Sequence, residues 1–414
     1  MLTKRQAFPL AAWLLGCGLM VPLAVAQEFK GEILIGAQCD RTGPTQITGT
    51  TFCPAEHDYV ALVNAKGGIG GYKIRIDEID NNYQVPPAIE AFERHRQMGA
   101  VSYLIWGTPM ALALKPRLEQ AQIAGTSPGF GAAAAANGKA YPYIFPAAAT
   151  YWSQGGAAID FIKRKLGGSL KGKKIAYLYY DNPAGVEPLP VIKEVQELEG
   201  FELRTFAVPA PGVEMGAQVL DISRRYRPDF VINHTFGRAP AVAMRELKRS
   251  GYPLDKVLGL VWASSEADIG AAGGMEAVEG YYTMHFTGVG PDYALLEEIR
   301  AMYKKAGKDP SVMNNTTYYN RGVQNVSLHV EAIRLAMVAN GGKRPTSVEV
   351  RAGFESIKDF TLGGLVPPLQ MTAEDHEGGG WVKVFQVKDG KFAADGDWFR
   401  GYRDIVWKHV QAGQ

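Results

Sequence analysis

Short runs of β-branched residues alternate with longer amphipathic stretches from residue 32 onward, and near residue 150 the alternation starts again. The pattern predicts strands over 32–37, 74–80, 101–106 and 123–127, separated by helices over 55–66, 86–98 and 111–122. Gly67-Gly68 stops the first of these helices, and a proline opens the second. The second half predicts a helix over 151–166, then strands over 174–180, 202–208, 230–233 and 257–261 interleaved with helices over 189–198, 217–224 and 240–250. Helical spacing returns at 293–306 and 319–340, and a hairpin pattern runs 381–387 to 391–392 around Asp389-Gly390. Such alternation implies parallel strands with helices on both faces of each sheet, because a parallel return needs a crossover long enough to hold a helix. The chain is therefore read as α/β, with two doubly wound parallel-sheet lobes. The join falls at 147–150 without a Pro/Ser linker, so the lobes should pack closely on a short hinge.

The 414 residues suffice for two such cores, and 46% of them are hydrophobic. Basic and acidic residues number 44 and 42, a formal charge of +2, which argues against nucleic acid or an anionic membrane surface as the partner. At the N-terminus Lys4 and Arg5 precede an apolar run over 7–25 that closes in Ala24-Val25-Ala26. That order predicts a signal peptide over 1–26, cleaved after Ala26, and export to the periplasm. Leu14-Leu15-Gly16-Cys17 offers a lipoprotein box as the minority alternative, with anchoring at Cys17. No later segment is long and apolar enough to span a bilayer, so no membrane span is expected once the leader is gone. Two cysteines then remain, Cys39 and Cys53, and in an oxidising compartment they are read as a disulfide. The seven histidines are scattered without metal-ligand spacing, and neither a metal nor a cofactor is expected.

Three motifs look like chemistry. Gly125-Thr126-Ser127-Pro128-Gly129 has the form G-x-S-x-G and follows a predicted strand. In a nucleophile elbow the residue after serine donates its backbone N–H to the oxyanion, and Pro128 has none. An exported serine hydrolase using Ser127 is kept as a low-weight alternative. Residues 167–174 imitate a phosphate-binding loop but end in lysine where magnesium needs Ser or Thr, and they precede their strand. The glycines at 67–71 follow a helix instead of a strand, so they read as a stop and a turn.

With no catalytic constellation, the informative places are the carboxyl ends of the strands, where ligands collect in open α/β sheets. These ends carry Trp106 and Thr108, then Ser127, Gly129 and Phe130, and the lobe crossing brings Tyr151 and Trp152. The second lobe adds Phe236 and Trp262. A cleft between the lobes would be lined by rings, with Thr108, Ser127 and helix N-terminal amides available to an anion and Arg41 as a possible countercharge.

Several of these segments resemble one family. Ile33-Leu34-Ile35-Gly36-Ala37, Thr42-Gly43-Pro44, Val63-Asn64-Ala65-Lys66-Gly67-Gly68-Ile69 and Asp80-Asn81-Asn82 resemble the opening of type I periplasmic solute-binding proteins of the branched-chain amino acid group. The resemblance implies a non-enzymatic, monomeric receptor that closes two lobes on a small solute and delivers it to an ABC permease in the inner membrane. It also implies a multi-strand hinge with further crossings at 281–286 and 361–381. Lobe 1 would hold 27–149 with 284–365, and lobe 2 would hold 150–283 with 366–414. Carried over, the family's carboxylate-binding hydroxyls fall at Thr108 and at glycine within 129–131, its tyrosine at Phe236, and its ammonium-binding acid near Val261-Trp262, where no acid stands. That departure favours an aromatic or hydrophobic carboxylate. A branched-chain amino acid or amide is the alternative ligand, and a sensory module on the same fold is an alternative role.

Overall fold

The computed structural model describes residues 28–209 and 211–413, so the expected leader and Cys17 lie outside the described residues. Five strands build the first sheet: β1 (Glu32–Cys39), β2 (Lys73–Asp80), β3 (Ser102–Leu104), β4 (Ala124–Thr126) and β5 (Ile144–Phe145). They lie parallel in the order β2-β1-β3-β4-β5. Seven strands build the second: β6 (Lys174–Tyr180), β7 (Glu202–Val208), β8 (Phe230–His234), β9 (Val257–Gly259), β10 (Tyr282–His285), β11 (Lys383–Lys388) and β12 (Lys391–Ala394). Their order is β12-β11-β10-β9-β8-β6-β7, parallel except where β11 pairs antiparallel with β10 and β12. The α/β class and the two doubly wound lobes stand as expected. In each sheet the strand order reverses once, between β1 and β3 and between β6 and β8, and each reversal opens a crevice at the strand exits.

The first core packs β1, β2 and β3 against the helices Thr316–Ala339 and Ser347–Phe354, with Ile33, Ile35, Val326, Ile333 and Phe354 fully buried. The second lobe sets the helices Tyr151–Lys165, Leu189–Glu199 and Arg403–Ala412 on one face of its sheet and Ala239–Arg249 within a separate cluster.

Three departures from the sequence reading have physical causes. The first helix runs Gln46–Ala65 and starts nine residues earlier than expected, with Pro54 inside it. The Asp40 carboxylate accepts from the backbone N–H groups of Gly43 at 2.5 Å and Thr45 at 2.7 Å, and this turn launches the helix directly from β1. The segment expected as one helix over 217–224 is a short helix, Gly216–Leu220, continued by a wider π turn over Asp221–Tyr226. Finally, Val366, Leu369 and Met371 pack in the first core and His376 stacks on Phe145 at 3.8 Å, so the third crossing falls later than the 365/366 boundary. Beyond it Glu377 accepts from Thr150 N at 2.8 Å and pairs with Arg403, which fixes the chain to the second lobe.

Cys39 and Cys53 form a disulfide that ties the exit of β1 to the first helix. Among the described residues no helix is long and apolar enough to cross a membrane.

Candidate functional site

The strand exits meet in one cavity between the lobes. It is partly open to solvent and is lined by Thr45, Thr48, Tyr83, Trp106, Gly107, Thr108, Phe130, Tyr151, Phe236 and Trp262.

From the first lobe, Asp40 also accepts from Thr45 Oγ1 at 2.6 Å, and Thr45 Oγ1 accepts from Trp106 Nε1 at 3.0 Å. The indole plane is therefore set by a chain that begins at a buried carboxylate. Beneath it Gln38 donates to Tyr103 OH at 2.9 Å and accepts from Asn81 Nδ2 at 3.0 Å. Asn81 and Asp80 in turn accept from the backbone N–H groups of Tyr83 and Asn82, each at 2.9 Å, holding both residues at φ of 55° and 49°. Left-handed backbone at a non-glycine tyrosine carries a strain of about 1–3 kcal/mol. Here it aims the Tyr83 ring into the cleft.

Thr108 begins the helix Thr108–Ala121; Pro109 has no N–H and Ala111 N donates to Gly107 O at 3.0 Å, so the free first-turn amides are those of Thr108 and Met110. Thr108 Oγ1 accepts from Gly131 N at 3.1 Å. A Cβ at Gly131 would lie 2.1 Å from Thr108 Cγ2, so only glycine lets this loop close on the threonine.

From the second lobe, Tyr151 stands at the start of its helix with its ring edge on His234 at 4.6 Å. Burial pushes the Tyr151 hydroxyl well above the usual phenol range and holds His234 down at about 3, so both are neutral. Phe236 packs on Tyr180 at 4.5 Å and reaches across the cleft to Tyr83 at 6.1 Å. Trp262 donates from Nε1 to Gly129 O at 2.8 Å, and Gln154 donates to the same carbonyl at 3.0 Å. Glu187 accepts from Ala133 N at 2.7 Å, and burial pushes its carboxyl up to about 7 against the pull of that amide. These contacts hold the loop after β4 against the second lobe.

Of the residues singled out in the sequence, Trp106, Thr108, Phe130, Tyr151, Phe236 and Trp262 come together on the cavity wall. Gly129 stands behind them as the acceptor for Trp262 and Gln154. The other three do not reach the cavity. Ser127 is fully buried, and its Oγ has no hydrogen-bond partner among the described residues, so nothing activates it as a nucleophile. Trp152 follows Tyr151 on a helix, where adjacent residues point about 100° apart, and its ring packs near His409 at 5.7 Å. Arg41 is ion-paired to Glu78, Nε to Oε1 at 2.8 Å. Burial alone would raise the Glu78 pKa, but the hydrogen bonds from His57 and Arg41 overcome it and hold the group at about 2. Cys39, Cys53 and Glu78 lie close enough to suggest a metal site, but the cysteines are bonded to each other and Glu78 is engaged by Arg41 and His57.

Thr45, Thr48 and Tyr83 were not anticipated. The turn residues around them, Thr42-Gly43-Pro44 and Asp80-Asn81-Asn82, mark where the chain bends but not which side chain the bend presents.

A family model described as "Periplasmic binding protein" matches residues 32–391 of the chain. The Leu/Ile/Val-binding protein homolog 7 of Brucella suis is 24% identical over 311 residues, which is 72% of this chain and 76% of that protein. A solved structure described as an ABC transporter permease from the Pseudomonas fluorescens group is 31% identical with a TM-score of 0.83, covering 92% of this chain and 95% of its own. A branched-chain amino acid ABC transporter protein from Thermus thermophilus with bound valine has a TM-score of 0.80 at 20% identity, covering 91% of this chain and 98% of its own.

Proposed function

The chain belongs to the periplasmic binding protein family, and we propose that it is the receptor of an ABC importer for a small aromatic or otherwise hydrophobic carboxylate. The observation that carries this reading is the cavity lining: six aromatic rings, three threonines and the turn at Gly107, with no carboxylate among them. A benzoate- or cinnamate-sized body that hides about 150 Å² of apolar surface among these rings gains about 4 kcal/mol. The Thr108 hydroxyl, the backbone N–H groups of Thr108 and Met110 and the positive end of the helix dipole orient the acid end. An α-ammonium in the same place has no carboxylate on the wall to meet it, and its desolvation costs several kcal/mol. Trp106, Thr108, Phe130, Tyr151, Phe236 and Trp262 are the contact residues in this reading. The loaded receptor then docks on its permease at the inner membrane, after export through the leader.

A second reading, a branched-chain amino acid or amide, draws on the names of the Brucella suis relative and the valine-bound neighbour. One observation favours it: Asp268 lies buried beneath the Trp262 turn with Oδ1 unpartnered among the described residues. Calorimetry of the purified protein against benzoate, cinnamate, medium-chain fatty acids and leucine separates the two. Tight leucine binding without a response to any aromatic acid would overturn the first reading.

A further inference from the structure

Arg321 lies on the long first-lobe helix and is fully buried, the largest such side chain among the described residues. Its guanidinium donates to the carbonyls of Val261 and, at 3.5 Å, Met284, while Nε has no partner among the described residues. It meets His285 Nδ1 at 3.2 Å. His285 is held neutral, with its pKa pushed well below the usual range by burial and then by the guanidinium itself. The rings of Phe286 and Trp262 cover the cation, with centroids at 4.8 and 5.2 Å.

The acids near it bond other groups, although Asp268 Oδ1 has no hydrogen-bond partner among the described residues. Asp268 accepts from Ser265 N at 3.0 Å, Ser265 Oγ at 2.8 Å and Tyr318 OH at 2.9 Å. Glu266 accepts from Thr316 Oγ1 and from Thr317 N at 3.1 Å. Among the described residues neither acid forms an ion pair with Arg321. Burial lowers the guanidinium pKa only to about 10, so the group stays charged at neutral pH. No ion pair holds the cation, and the nearby charges of Asp268 and Glu266 offset the cost of its burial only in part.

Resting on the aromatic-carboxylate reading, we propose that Arg321 is a positioning and charge-selecting residue that makes the cavity prefer anions by acting through the Trp262 ring. The Trp262 ring that meets the cation also lines the cavity, so a ligand packed on that ring comes under the field of the charge. At an effective dielectric of about 20, a charge about 10 Å from a carboxylate is worth roughly tenfold in affinity, and burial of Arg321 limits its screening by salt. Among the described residues no lysine or arginine lines the cavity, and Arg41 is paired to Glu78, so Arg321 carries the selection.

The test compares benzoate with benzamide, which matches it in shape and lacks the charge, by calorimetry on the wild-type protein and on Arg321→Met and Arg321→Lys. The expected result is a wild-type preference for benzoate that falls about tenfold in Arg321→Met, with benzamide affinity changed by less than about twofold, and that Arg321→Lys largely restores. Equal loss for both ligands in Arg321→Met, or no restoration by lysine, would show that the residue only packs, while leaving the aromatic-carboxylate reading intact. A wild-type protein that prefers benzamide, or binds neither and takes leucine, would overturn both. Should Arg321→Met fail to fold, a salt series on the wild type decides. A benzoate preference that drops by less than about twofold between roughly 0.05 and 0.5 M salt supports a buried cation, and a tenfold drop rules it out.

Discussion

Trp262 Nε1 and Gln154 Nε2 both donate to Gly129 O, at 2.8 and 3.0 Å, and this carbonyl belongs to the first lobe while both donors belong to the second. Replacing Trp262 with phenylalanine keeps an aromatic ring against Phe52, Phe130 and Phe286 but removes one of the two donors. Gly129 O then still has Gln154, so the loss is one net hydrogen bond, about 0.5–1.5 kcal/mol, or roughly two- to tenfold in affinity for the ligand that closes the lobes. Gln154→Met does the same from the other side. The double variant leaves a buried carbonyl without any donor, which adds about 1–3 kcal/mol, so the combined loss exceeds the sum of the single losses. Calorimetry with the best-binding aromatic acid gives the four affinities, and small-angle scattering gives the contraction on saturation. Strictly additive losses, or a double variant that contracts and binds like the wild type, would refute the idea that this shared carbonyl pins the closed lobes.

Cys39→Ser with Cys53→Ser opens a closed loop of sequence separation 14 and should cost about 3 kcal/mol of unfolding free energy, read from denaturant midpoints with and without reductant. Glu78 is held at about 2 against an ordinary 4.5, so its contribution is complete above the unfolded value and disappears as pH falls from about 4.5 towards 2. After allowance for partial exposure that contribution is about 2 kcal/mol, and Glu78→Gln should lose it at neutral pH while flattening the acid limb of the stability profile. Gly107 has φ of 88°, and a Cβ there would lie 2.4 Å from Met110 Cε and 2.7 Å from the Tyr83 ring. Gly107→Ala should therefore destabilise by about 1–3 kcal/mol and weaken ligand binding by displacing Tyr83, measured by thermal unfolding and calorimetry.

What the sequence made legible follows from which interactions are local. The strands β6 and β7 coincide with their expected spans because Ile175, Tyr177, Tyr179 and Tyr180 in one and Thr205, Phe206 and Val208 in the other are residue types that favour strands. The ring-bearing exits at Trp106, Phe130, Phe236 and Trp262 were readable for the same reason, since a residue just past a strand end is placed by the strand. Tyr83 was not, because its position depends on two side chains, Asp80 and Asn81, holding successive left-handed residues. The fate of Arg41 was hidden by register: its partner Glu78 sits on β2, and only the parallel pairing of β1 with β2 brings them together. Arg321 was hidden differently. It sits in a stretch with Asn320, Gln324, Asn325 and His329, all of them buried, so no apolar face announced that this part of the helix is interior.

The loop after β4 joins recognition to closure. Phe130 touches the cavity, Gly131 bonds Thr108 at the start of its helix, Gly129 accepts from Trp262 and Gln154, and Ala133 donates to Glu187. Five consecutive residues thus carry one wall of the cavity and three hydrogen bonds to the opposite lobe. A ligand that presses on Phe130 or competes for Thr108 acts on the same backbone that latches the lobes, so its binding free energy and the closing free energy are linked. An open form must give up these bonds together. A solute that fills the ring cage without displacing this loop shifts the lobes toward closure by its differential affinity for the two forms, and a bulkier one that pushes Phe130 outward is rejected through the loss of the latch as much as through lost contact.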